Sequence, residues 1–296
     1  MAYSVLEPAV PFTLHVGDDE CLQLNQLLQL SRVMPKTWEN QHQGRKYDIT
    51  HEWLRAQESY INNSPNYRML VNHPKGDVTV HFAALFSKDL QAIPIVLLHG
   101  WPGSFLEFLP VLELVRKKYT TDTLPYHFIV PSLPGYTLSL SLPEDQEWVA
   151  DDTARVIDQT IKNLGFDKYI VQGGDVGSLI ATMMGTNHDS VVEVHLNLLP
   201  TLDATSPEDP ILNDTEKGAV QSAIKRSSVT AGAAMLQIKK PSTVAAVVSS
   251  NPIALLAWIG EKMLDWTEED PDLDHILTNV SLYWFTNCFA HCIHIY

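Results

Sequence analysis

Five residues constrain this chain more than any others: Gly173-Gly174-Asp175-Val176-Gly177, between the apolar run Tyr169-Ile170-Val171-Gln172 and the segment Ser178 to Met184. The first flank has a strand pattern and the second is a helix former, so the glycines lie where a strand turns sharply into a helix. Gly173 and Gly177 stand two positions either side of Asp175 and allow strand and helix to cross closely. Such a strained turn lifts one side chain, that of Asp175, above the sheet and leaves the following N–H, that of Val176, free. The competing reading is an ordinary strand-to-helix turn with Asp175 as an N-cap.

A second motif argues against the N-cap. The strand-like run Ile93 to Leu98 is followed by His99-Gly100-Trp101-Pro102-Gly103-Ser104. A turn at the end of a neighbouring strand places the Trp101 N–H where it converges with that of Val176 on one oxygen, as an oxyanion hole requires. His99 lies within the turn and reads as structural support, not as a catalytic base. Pro102 is expected behind a cis bond, which such a tight turn accommodates.

Around these motifs, short apolar runs at Ile93 to Leu98, His127 to Val130, Tyr169 to Gln172 and Val191 to Leu199 alternate with helical segments at Phe105 to Lys118 and Asp151 to Leu164. That alternation predicts an α/β fold, a parallel sheet covered on both faces. Upstream, helices are expected over Asp18 to Arg32 and Thr50 to Ile61, and a strand over Val78 to Leu85. Beyond Pro200 the pattern is helical, at Glu216 to Arg226, Ala231 to Ile238, Ala254 to Leu264 and Leu273 to Phe285, as a cap over the sheet. The divisions expected are an N-terminal domain over residues 1–85, core over 86–205 and a helical cap over 206–296.

The formal net charge is -15, from 20 Lys+Arg against 35 Asp+Glu. Such a surface repels polyanions, so no nucleic-acid partner is expected. Cys21, Cys288 and Cys292 give no disulfide framework, which suits a reducing compartment. Met1 to Glu20 lacks a basic segment followed by an apolar run, and Val244 to Gly260 is interrupted by Ser249-Ser250-Asn251-Pro252. The expectation is a cytoplasmic chain with no membrane anchor, the latter stretch being buried helix. The tract Cys288-Phe289-Ala290-His291-Cys292-Ile293-His294 has no second ligand pair, so no metal is expected. Oligomeric state is not legible.

A carboxylate at the elbow specifies chemistry. It is already ionised and suits displacement at saturated carbon, giving an alkyl ester that water then hydrolyses. Epoxides and alkyl halides both fit. Here the chain resembles the epoxide hydrolases of the microsomal type, in their fungal and insect form, on an α/β-hydrolase core. The resemblance runs from about Pro11 and is carried by the Trp38-Glu39 loop, Trp53-Leu54-Arg55, Leu97 to Ser104 and Pro131 to Tyr136. It continues through Gln172 to Ser178, His195-Leu196-Asn197, Lys240 to Val244, Ser250 to Lys262 and Tyr283 to Thr286. It implies Asp175 as nucleophile, Trp101 and Val176 as oxyanion donors, a small apolar epoxide as substrate, a diol as product and no cofactor. The family usually has Trp after the nucleophile; Val176 keeps the N–H but lacks the indole that a haloalkane dehalogenase needs, which favours epoxides.

Of the family's two proton-donating tyrosines, the first falls at Ala233 and the second at Tyr296. The family's acid and histidine lie on strands beyond the cap that this sequence does not include, so the C-terminal part of the core is expected to be missing. His195 reads as a core residue, and Asp203 as a loop or cap residue with an orienting acid as the alternative. A catalytically impaired, truncated homologue that binds substrate or does nothing is the alternative reading, and a haloalkane dehalogenase is a third.

Overall fold

A computed structural model describes residues 9–31, 50–198 and 211–293. Seven strands form one sheet: β1 (Val10–Phe12), β2 (Asn66–Val71), β3 (Val78–Leu85), β4 (Ile93–Leu98), β5 (Tyr126–Pro131), β6 (Tyr169–Gly173) and β7 (Val191–Leu196), in the order β1-β2-β3-β5-β4-β6-β7. β5, β4, β6 and β7 are parallel, as the strand–helix alternation predicts. The sheet as a whole is mixed, because β1, β2 and β3 are antiparallel and β3 pairs antiparallel with β5. A tight turn through Gly76, at φ +133, joins β2 to β3, and so short a connection can only link antiparallel strands. The expected boundary at residue 85 therefore falls between two strands of a single sheet.

Strand residues alternate between two apolar clusters. Phe82, Val96, Leu98 and Ile129 join one, with Ile157, Ile161, Ile180 and Met184 from α4 (Ala150–Asn163) and α5 (Val176–Asn187). Ala83, Leu97 and Val130 join the other, with Phe105 and Leu106 from a short 3-10 helix (Phe105–Phe108) and Leu109 and Leu112 from α3 (Leu109–Lys118). The period of two places these sets on opposite faces, so helices cover both. α1 (Asp18–Leu30) and α2 (His51–Asn62) share a smaller cluster of Cys21, Leu24 and Leu54.

The later helices are α6 (Asp214–Lys239), α7 (Pro241–Val248), α8 (Pro252–Asp265), α9 (Leu273–Thr286) and α10 (Phe289–Cys292). Two helices were expected over Glu216 to Ile238, but the backbone runs as one. No proline interrupts that stretch, and glycines alone, at 218 and 232, weaken a helix without ending it. α7 and α8 do break, with a bend of 118°. Asn251 caps α8 by accepting from Ile253 N at 2.8 Å, and Pro252 fills its first position. No single described helix is long and apolar enough to cross a membrane.

His195, expected in the core, is exposed on β7. Among the described residues, β7 is the last strand in the sheet order. The Phe289 to Cys292 part of the cysteine–histidine tract forms α10, with Cys288 just before it; both cysteines are buried and free, and no group of three or more metal-ligating side chains occurs among the described residues. Tyr296, Asp203, His294 and the Trp38-Glu39 loop lie outside the described residues.

Candidate active site

β4 and β6 lie side by side in parallel with Leu98 opposite Gly173, so the turns that follow them emerge together at one sheet edge. Ligands of open α/β sheets sit at such carboxyl ends. After β6, Asp175 has φ 51 and ψ -124, a strained conformation for a residue with a side chain, and Val176 begins α5. Its carbonyl starts the helix, accepting from Ser178 N at 3.0 Å and Ser178 Oγ at 2.6 Å.

The glycines are required by contact. A Cβ on Gly177 would stand 2.7 Å from the His99 carbonyl oxygen, and one on Gly173 would stand 2.8 Å from Ser178 N. A Cβ on Gly100 would meet the Asp175 Cβ at 2.5 Å, so the turn after β4 lies directly against the nucleophile candidate. Asp175 stands at the N-cap position of its helix, but its side chain makes no cap hydrogen bond there. Its carboxylate instead accepts from the Trp101 N–H, with N···Oδ1 at 2.8 Å. The Trp101 N–H, expected to face a substrate-derived oxygen, holds the carboxylate itself. Val176 is buried at the start of α5.

His99 is held within the turn by its own ring contacts. It is fully buried, its Nδ1 donates to the Gly100 carbonyl at 3.0 Å, and its Nε2 accepts from Leu133 N at 3.0 Å. Burial pushes its pKa down to about 4, so the ring is neutral. The Trp101-Pro102 bond is cis. The Trp101 indole is covered by Trp266, at the end of α8, with centroids 5.8 Å apart.

Two residues that sequence reading missed, Glu107 and Asn279, complete the arrangement with Ser104. Glu107 is exposed as a residue, and one oxygen of its carboxyl lies against Gly103. Burial of that end, reinforced by the negative charge of Asp175, pushes its pKa up to about 8, while a contact with the Gly100 backbone lowers it. Ser104 and Asn279 are both buried and hydrogen-bonded to each other at 2.7 Å. Glu107 sits three residues after Ser104, a spacing that signals a helix start and conceals any other role.

A strained strand-to-helix turn at the end of β6, with a facing turn at the end of β4, defines an α/β-hydrolase fold. Residues 93–207 match the alpha/beta hydrolase fold family, and residues 9–108 match the family described as epoxide hydrolase N terminus. The solved structure of Aspergillus niger epoxide hydrolase is 41% identical, with a TM-score of 0.85, over 99% of this chain and 79% of that one. Epoxide hydrolase 1 of Sus scrofa is 27% identical over 93% of this chain and 69% of its own length. The crystal structure of juvenile hormone epoxide hydrolase from Bombyx mori shares the fold, with a TM-score of 0.80 at 24% identity, over 96% of this chain and 75% of that one. The chain belongs to the epoxide hydrolase family.

Proposed function

We propose that this chain opens apolar epoxides through an ester on Asp175. The supporting observation is the strained elbow whose carboxylate accepts from Trp101 N at 2.8 Å. A carboxylate oxygen forms a bond to a ring carbon, the ring C–O bond breaks, and the ring oxygen takes a proton to become a hydroxyl. Water, deprotonated by a base, then adds to the ester carbonyl. The Trp101 and Val176 N–H groups stabilise the resulting oxyanion, and collapse releases the vicinal diol and restores the carboxylate. Tyr296 is the proposed proton donor, on its match to the family motif alone.

Incubation with a panel of terminal and aryl epoxides tests this reading. Diol formation by the parent chain, and its loss in Asp175→Asn, is the expected result. Halide release from an alkyl halide with no diol from any epoxide would establish a dehalogenase instead.

A further inference from the structure

Three consecutive residues of the turn that carries the Trp101 N–H are held by one helix outside the sheet. From α9, Asn279 Nδ2 donates to the Pro102 carbonyl at 2.6 Å, and Asn279 Oδ1 accepts from Ser104 Oγ at 2.7 Å. One helical turn later, Tyr283 OH donates to the Gly103 carbonyl at 2.7 Å. Asn279 is 1% exposed and Tyr283 0%. Both ends of the buried amide are therefore matched, to an acceptor and a donor that lie two residues apart on the turn.

The clamp has a fixed base. Thr278 of α9 donates to Gln57 Oε1 of α2 at 2.8 Å, and Trp53 Nε1 of α2 donates to Asp274 Oδ1 of α9 at 2.9 Å. α9 is thus tied to α2 on one side and to the turn on the other. A buried amide is retained at a desolvation cost that an apolar side chain of similar volume would avoid. What it gives here is a fixed geometry for Pro102 and Ser104, immediately after the N–H that faces Asp175.

We infer that Asn279 is a positioning residue for the reaction: through Pro102 and Ser104 it sets the direction of the Trp101 N–H towards Asp175. It touches neither reacting atom and acts through the turn. The inference rests on Asp175 being the nucleophile. A donor aimed in advance at the developing charge works because it need not reorganise, and a misplacement of about 1 Å can cost about a hundredfold in rate.

The test uses three variants of the full chain with styrene oxide as probe. Asn279→Ala removes both bonds. Asn279→Asp keeps the acceptor for Ser104 but turns an oxygen towards the Pro102 carbonyl. Tyr283→Phe removes the Gly103 bond, leaves both Asn279 bonds in place and should fold with least disturbance. The rate constant for ester formation, followed by mass in single turnovers, is expected to fall roughly tenfold to a hundredfold in both Asn279 variants and less in Tyr283→Phe. KM should change much less than the rate constant. A readout independent of turnover is hydrogen exchange at the Trp101 amide in protein labelled with 15N-tryptophan. It should accelerate in the Asn279 variants, with the Trp148 amide unaffected. Folded Asn279 variants with parental ester formation and parental Trp101 exchange would overturn the inference. If Trp101 exchange responds but the parent never forms an ester on Asp175, the clamp stands and the nucleophile reading fails.

Discussion

The Trp101 backbone N–H donates to Asp175 Oδ1 at 2.8 Å across 74 residues of sequence. Two adjacent parallel strands bring them together, Leu98 being opposite Gly173. The bond fixes the rotation of the carboxylate above the sheet, where a nucleophile of this fold acts. If Asp175 becomes an ester, the same N–H faces the ester oxygen that acquires charge when water adds.

The close crossing at the elbow sets a first expectation. Gly177→Ala places a methyl 2.7 Å from the His99 carbonyl oxygen and 2.8 Å from the Leu98 carbonyl carbon. This backbone cannot yield cheaply, so a loss of about 1–3 kcal/mol or more is expected, with loss of activity. Gly218→Ala is the opposite case, in a helix with nothing within 4 Å of the new methyl. It should gain about 0.5–1 kcal/mol. Urea midpoints of the two variants against the parent decide both.

Glu107 gives a pH signature. Its carboxyl is raised to about 8 from an ordinary value of 4.5, burial first and Asp175 second. Between those values the folded chain holds a proton that the unfolded chain has released, so stability falls as pH rises through the window. Glu107→Gln is always neutral and lacks that slope. The variant should therefore gain on the parent steadily from about pH 4.5 to about pH 8, in denaturation midpoints measured across the range.

His99 acts in the acid direction. Burial lowers its pKa from 6.5 to about 4, so the unfolded chain binds a proton that the folded chain refuses. Stability from neutral His99 is present above pH 6.5 and is lost as pH falls towards about 4. Protonation would also set an N–H against the Leu133 N–H that Nε2 now accepts. His99→Asn should flatten the acid limb between pH 6.5 and 4 while costing stability at pH 7, measured as denaturation midpoints.

The elbow and the turn were legible because each is local: glycines between a strand pattern and a helix former can be read in eight residues. The parallel half of the sheet was legible for a similar reason, since β4, β5 and β6 are short apolar runs. β1 and β2 were not. Val10–Phe12 is too short for a period, and Asn66–Val71 mixes Tyr67 and Arg68 with apolar residues at an irregular burial pattern. Asn279 could not have been found, since the Pro102 carbonyl it meets is 177 residues away and nothing in either segment announces the pairing. Glu107 was hidden by looking like the third residue of a helix cap. His195 was misplaced because an apolar run such as β7 looks the same at a sheet edge as at its centre.

The most direct test of the account follows the oxygen. Excess protein is mixed with styrene oxide in 18O-water, quenched, and the peptide containing Asp175 and the product are weighed. An Asp175 ester requires that this peptide carry either one hydroxyalkyl group, before hydrolysis, or one 18O, after it, with no label in the first-turnover diol. A diol that carries 18O while the Asp175 peptide keeps its original mass would contradict the account.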